Sequence, residues 1–341
     1  MSSFSQSTIV DSTAVQKLEE VVVSSVRIKN NIPVAYSNIS KDEISKRNLG
    51  QDLPILLNYL PNVVTTSDAG AGIGYTGIRI RGINSQSTNV TINGIPYNDA
   101  ESLGTFWVDL PDFSSSVENL QVQRGIGTSI NGSSAFGASI NILTDKISSK
   151  SYLESSNSIG SYNTLNNTIK FCTGLISDKF EFSGRLSKID SDGYIDRAFS
   201  DLKSYLLQGT YKNKNTLIKF LNFGGHEITY QAWNGIDNQT LQTDRTFNPS
   251  GLYYDNDGST QFYDNEVDNY GQDHFQLHFS HLISEHLKAN FALHYTHGAG
   301  YYEQYRKADD FSSYGLSDLY IGCLLYTSDA ADEGLGVDLG G

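Results

Sequence analysis

The sequence predicts a small mixed α/β domain followed by antiparallel strands of a transmembrane β-barrel. Three observations lead there. Residues 73–146 carry short apolar alternations broken by glycine-rich turns. From about residue 151 the alternation lengthens, and one side of it is aliphatic and aromatic. No run approaches the ~18 apolar residues of a membrane helix, a requirement that barrel strands escape because they alternate.

Taken in order, residues 1–17 are polar and serine-rich, a composition too poor in apolar surface to fold. A β-branched run follows, Lys17-Leu18-Glu19-Glu20-Val21-Val22-Val23. Ser40 with Glu43 three residues on reads as a capping box opening a short helix. Asp52 reads as the N-cap of an apolar helix that stops before Pro61, with Leu53, Leu56, Leu57 and Leu60 on one buried face. Ile78 and Ile80 flank Arg79 and Arg81 in the two-residue period of a half-buried strand. Val90 and Ile92 precede Asn93-Gly94, a hairpin turn signal. Val117, Leu120 and Val122 lead into Arg124-Gly125, and Ile140 and Ile142 mark one more strand.

The blocks Gly77-Ile78-Arg79-Ile80-Arg81-Gly82, Val90-Thr91-Ile92-Asn93-Gly94, Val122-Gln123-Arg124-Gly125 and Ala138-Ser139-Ile140-Asn141-Ile142, in that order, resemble the plug domain of a TonB-dependent outer-membrane receptor. The resemblance covers about residues 17–320. It implies three segments, a flexible N-terminus with a Ton box at 1–24, a plug domain at 25–148 and a partial transmembrane barrel at 151–320, and leaves 322–341 as a suspected non-native tail. It makes Leu18, Glu19, Glu20, Val21, Val22 and Val23 the Ton box, which adds as a strand to the energy-coupling protein TonB. The residues alone also allow an ordinary plug strand there. Arg79, Arg81 and Arg124 are expected to form ion pairs between plug and barrel, since a guanidinium keeps its charge and forks to carboxylates.

The barrel segment alternates in five clear stretches, around Phe171, Phe182, Leu207, Phe275 and Leu293. Segments near 152–159 and 215–224 bring the count to about seven, against the ~22 of a closed barrel in this family. An open sheet edge is prohibitively costly in lipid, so the barrel is expected to be incomplete. The tail Leu325-Tyr326-Thr327-Ser328-Asp329-Ala330-Ala331-Asp332-Glu333 breaks the alternation and resembles translated adapter sequence. Asp178, Lys214-Asn215 and Ser284-Glu285 mark tight periplasmic turns, whereas 188–200 and 231–269 are long and expected outside the cell. Trp107, Trp233, Tyr253 and Tyr254 are the candidate ligand-facing residues, with packing as the alternative for each.

Composition bounds the function. A net charge of −14 argues against a nucleic-acid partner. Two cysteines exclude a disulfide framework or a cysteine-rich metal site. His274 and His278 share a strand face, but a four-residue strand spacing is ~13 Å, so one ion cannot bridge them and no metal site is expected. No phosphate loop, dinucleotide fingerprint or nucleophile elbow is present, so neither enzymatic chemistry nor a cofactor is expected. Residues 1–17 lack the basic start and apolar core of a signal peptide.

The resemblance implies a protein of the bacterial outer membrane that contacts lipid, TonB and a small ligand, by default a ferric siderophore. Cobalamin, haem or glycan import, surface signalling, and a soluble β-rich binding protein are the alternatives.

Overall fold

The computed structural model describes residues 27, 34–125, 136–307, 309–321 and 324–326. The predicted Ton box and most of the anomalous tail lie outside these residues.

The first domain begins with β1 (Ala35–Ser40), which runs into α1 (Lys41–Ser45). The capping box forms as expected: the Ser40 side chain accepts from the Glu43 amide while the Glu43 carboxylate accepts from the Ser40 amide. The second helix, α2, is shorter than the sequence predicts, covering only Leu53–Leu56. Asp52 occupies the N-cap position, but its side chain makes no capping bond. Its carboxylate turns instead to accept from Thr76 Oγ1 at 2.9 Å, and burial pushes its pKa well above the ordinary carboxylate value. The four leucines are nonetheless buried together.

β2 (Val63–Ser67) and β3 (Thr76–Ile80) form a separate antiparallel pair. The main sheet of this domain contains β4 (Thr88–Ile92), β5 (Ile95–Pro96), β6 (Val117–Arg124) and β7 (Ala138–Thr144). Its order is β1-β6-β7-β4-β5, and β4 with β7 is a parallel pair. Asn93 and Gly94 make the β4–β5 turn with φ of 53° and 82°, the pair of positive values that a type I′ hairpin demands.

Seven strands build the wall: β8 (Ser151–Ile159), β9 (Leu165–Thr173), β10 (Phe180–Ser191), β11 (Ser200–Lys212), β12 (Thr216–Tyr230), β15 (Val267–Ser284) and β16 (Leu287–Tyr302). A helix α3 (Asn238–Thr243) and a small hairpin of β13 (Leu252–Tyr254) and β14 (Thr260–Phe262) occupy the long connection between β12 and β15. Every wall pair is antiparallel between successive strands. Connections at one end of the wall are 174–179, 213–215 and 285–286; those at the other are 160–164, 192–199 and 231–266, the last two the longest. Both long connections are shorter than expected, because strand alternation continues past polar residues such as Lys188 and Asp190.

One register row shows the outward face: Phe182, Gly209, Phe220, Leu277 and Leu293 lie side by side across five strands. Phe182, Phe220 and Leu293 are exposed on it. The neighbouring inward row runs through Glu181, Thr210, Lys219 and His278, of which Glu181, Thr210 and His278 are buried. That is the apolar-out, polar-in alternation of a membrane barrel. Among the described residues no helix is long and apolar enough to cross a membrane.

The core of the first domain continues onto this wall. Leu206, Leu221 and Phe223 join the same buried cluster as Ile80, Ile92, Leu120 and Ile140. Phe223 has no exposed surface and sits 5.4 Å, ring to ring, from Phe113. Burial of such a side chain contributes roughly 2–3 kcal/mol, so the first domain packs on the wall as a core, not merely as a neighbour.

Candidate functional site

Two polar anchors and one steric contact hold the first domain to the wall. The deeper anchor is Asp112, which follows Pro111 in a left-handed turn with φ of 50°. Its carboxylate meets Arg185 of β10 at 3.3 Å, with side chains 0% and 1% exposed. Thr168 donates to the same carboxylate at 2.6 Å, and Ser187 and Ser115 donate as well. Arg185 donates onward to Ser116 and Ser204, both at 2.9 Å. Burial opposes the charge on Asp112, but Arg185 and the hydroxyl donors outweigh it and hold the carboxyl below its usual range. A buried pair survives only when its remaining hydrogen-bonding capacity is filled in this way.

The second anchor is Asp145, just past β7. It lies 3.1 Å from Lys170 of β9 and 2.6 Å from Lys41 of α1. Lys219 of β12 adds hydrogen bonds to Thr144 Oγ1 at 3.0 Å and to the Asp145 carbonyl at 3.1 Å. Between the anchors, the chain at Asp109 to Pro111 rides directly on Gly225 of β12. A Cβ there would sit 2.4 Å from the Asp109 carbonyl oxygen and 2.7 Å from Pro111. Arg27, ahead of β1, reaches back to the domain sheet and donates to Asn119 and to the Asn141 carbonyl.

At the end of β12 that leads into the long connection, a mouth opens between the two parts. Tyr75 rises from the first domain, and its hydroxyl donates to Asp268 of β15 and to Glu227 of β12 at 3.4 Å. Trp233 packs edge-on to Tyr75 with ring centroids 5.5 Å apart, and Tyr302 lies 6.4 Å beyond Trp233. Asp109 is buried beneath, close enough to Glu227 and Asp268 to act on both. Burial, then the Asp268 and Asp99 carboxylates, push Asp109 up to about 7. Burial, then the Glu227, Asp268 and Asp109 carboxylates, raise Tyr75 further from ionisation.

The raised value at Asp109 makes this seam sensitive to pH. Unfolded aspartate titrates near 3.9, so the native state holds the extra proton between about 4 and about 7. The favourable contribution is complete below about pH 4 and is lost as pH rises through the native value. Hydrogen-exchange protection of amides 107–112, corrected for intrinsic rates, should therefore fall from about pH 5 to about pH 8, and Asp109→Asn should flatten the profile. Protection that rises over that range would contradict the assignment.

With this geometry in place, the comparisons are specific. Residues 28–139 match the family model described as the TonB-dependent receptor plug domain. The chain is 23% identical over 265 residues to the probable TonB-dependent siderophore receptor PirA of Acinetobacter baumannii, covering 71% of this chain and 33% of that protein. It is 30% identical over 184 residues to the vitamin B12 transporter BtuB of Vibrio vulnificus, covering 53% of this chain and 29% of that one. The first domain is a TonB-dependent receptor plug domain. The ferric yersiniabactin uptake receptor FyuA of Yersinia pestis shares the fold of this chain, with a TM-score of 0.60 at 16% identity over 82% of this chain and 43% of that chain. The chain thus spans about a third of the length of the curated relatives it matches. Those relatives are transporters and receptors, not enzymes.

In receptor terms, the first domain is the plug and its anchors are plug–wall contacts. They are not the predicted ones. Among the described residues, Arg79, Arg81 and Arg124 form no ion pair; Arg79 and Arg81 are exposed, and Nη1 of Arg124 is buried without a partner. The polarity is reversed: the plug supplies the carboxylates Asp112 and Asp145, and the wall supplies Arg185 and Lys170. Arg185 had a readable signal, a lone guanidinium at an inward position of an alternating strand. Nothing in the sequence paired it with Asp112.

Among the ligand-facing candidates, Trp107 is corrected: it is 2% exposed and part of the plug core. Trp233 stands at the mouth, 42% exposed. Tyr253 packs edge-on to Tyr305 at 4.9 Å, and Tyr254 is exposed on the same hairpin. His274 stacks on Phe223 and bonds Thr296 and Gln272, so it packs the lumen face. Among the described residues no cluster of histidine, cysteine and carboxylates could hold a metal ion.

Proposed function

We propose that this receptor imports a ferric siderophore across the bacterial outer membrane, driven by TonB. The observation that carries the reading is the plug held on the lumen face of the wall by polar contacts that can break, beneath a mouth bearing Tyr75 and Trp233. Ligand settles at the mouth. TonB pairs with the strand-forming run Leu18–Val23 by adding it to a sheet edge. Tension on that run rearranges the plug, and the ligand passes along the polar lumen face. The names of the relatives support the substrate class. PirA is named a probable siderophore receptor, and relatives in Pseudomonas aeruginosa and Escherichia coli are named ferric enterobactin and ferrienterobactin receptors.

Deletion of Leu18–Val23 from the receptor in cells tests the coupling. Uptake of radioiron delivered as a panel of siderophores should fall to background, while binding to the cell surface is retained. Loss of uptake and binding together would make the segment structural. Uptake of labelled cobalamin in place of every iron complex would move the receptor to the class of its BtuB relative.

A further inference from the structure

Arg27 pins the chain just after the strand-forming run. Its side chain lies partly buried against the sheet of the plug. Nη2 donates to the Asn141 carbonyl of β7 at 2.8 Å and to the Asn119 carbonyl of β6 at 3.2 Å, and Nη1 donates to the Asn119 side chain. One guanidinium thus bridges two strands, as its planar fork of donors allows. It does so beside a bulge: the β6–β7 register slips between Val117 and Asn119, leaving Glu118 without a partner across that ladder.

This end of the plug sheet faces the tight turns of the wall, since the Asp145 carbonyl, just past β7, accepts from Lys219 near the start of β12. β1 does not lead the chain there by itself. It runs along β6 from Ala35, opposite Arg124, to Ser40, opposite Asn119. Its start is therefore separated from the Arg27 contact by the length of β6 from Asn119 to Arg124, about 17 Å. β1 alone would fix the preceding chain at the inner end of the sheet. Arg27 fixes it at the end that faces the periplasm in the import reading.

Arg27 also limits how far the run can reach. Val23 to Arg27 is four peptide steps, at most ~14 Å when fully extended. A folded domain of ~100 residues has a radius of gyration of ~13 Å, and a strand added to its edge lies ~4.8 Å from the next. A domain that holds Val23 so close bears on the surface around Arg27. That surface is charged. Glu118 lies 3.0 Å from Lys146 and 4.0 Å from Lys41, and the two lysine side chains are 63% and 44% exposed.

We propose that Arg27 is the fixed end of a short tether, and that TonB, holding Leu18–Val23 as an added strand, docks on the plug face around Lys41, Glu118 and Lys146. This rests on the import reading above and names the surface that the partner of that reading meets. The contact is between charged side chains, and it is made while Arg27 holds.

The test uses the full receptor in cells that contain TonB. The photo-crosslinking residue p-benzoylphenylalanine replaces Lys146 in one receptor, Val21 in a second, and Tyr254, on the hairpin in the long connection at the other end of the wall, in a third. Irradiation should join positions 146 and 21 to TonB, and not position 254. A glycine-serine insertion between Ser25 and Val26 then triples the length of the tether and leaves Arg27 in its contacts. The product at 146 should fall about fivefold, the −3/2 power of the length ratio, while the product at 21 stays within about twofold. Arg27→Ala should lower the product at 146 in the same way, by moving the fixed end to β1. A product at 21 without one at 146, or a product at 146 that the insertion does not change, would overturn the docking surface and leave the import reading standing. No product at 21 defeats the coupling step of that reading and the docking surface with it.

Discussion

Replacing Asp112 with alanine should weaken the seating of the plug by about 3–5 kcal/mol, the cost of leaving a buried charge without its partner. Arg185, 1% exposed, would be left facing Ser187 and Ser204. The left-handed turn at position 112 adds to the loss, since alanine tolerates a φ of 50° less well than aspartate. Arg185→Met should cost a similar amount for the opposite reason, stranding the carboxylate. The double variant Asp112→Asn with Arg185→Met removes both charges and should cost clearly less than the sum of the single changes. Hydrogen exchange across residues 107–116 measures all of these in native membranes. Additive losses would mean that the pair does not act as a unit.

The second large effect concerns the wall itself. Among the described residues β8 and β16 each have a neighbour on one side only, and most of β16 is exposed along its 16 residues. Unpaired backbone groups in hydrocarbon cost several kcal/mol apiece. The 341-residue chain, refolded alone into detergent and lipid, should therefore give neither a heat-modifiable band on gels nor single-channel conductance. Its circular dichroism should show disordered or aggregated strands. A compact, heat-modifiable species would mean that copies of the chain pair edge to edge and close a ring between them.

Local and periodic information carried much of this architecture. Alternation at Phe182, Gly184 and Leu186 against Glu181, Ser183 and Arg185 told lipid side from lumen side, because a strand has only two faces. Asn93-Gly94 and the Ser40–Glu43 box were legible for the same reason: each is settled within a few residues. The plug seat was not. Arg185 and Asp112 are 73 positions apart, and Tyr75 and Asp268 are 193 apart. Such contacts depend on which face of the plug meets which strand, and no period encodes that. Asp52 shows the same limit on a small scale: its position before a helix favours capping, but Thr76 offered a partner in a buried place.

Gly225 lies between the two sites. Asp109 is buried in the plug, Asp112 closes the deep ion pair, and the chain linking them bears on the wall where there is no side chain to yield. Pro111 stiffens that link by fixing its own φ. The segment therefore has the mechanics of a short lever on a hard fulcrum. A push on Asp109 cannot be absorbed where the chain already touches the wall, so it reappears as torque on Asp112 three residues along. A displacement of the chain at Asp109 would then be felt at Asp112 as a change in its grip on Arg185.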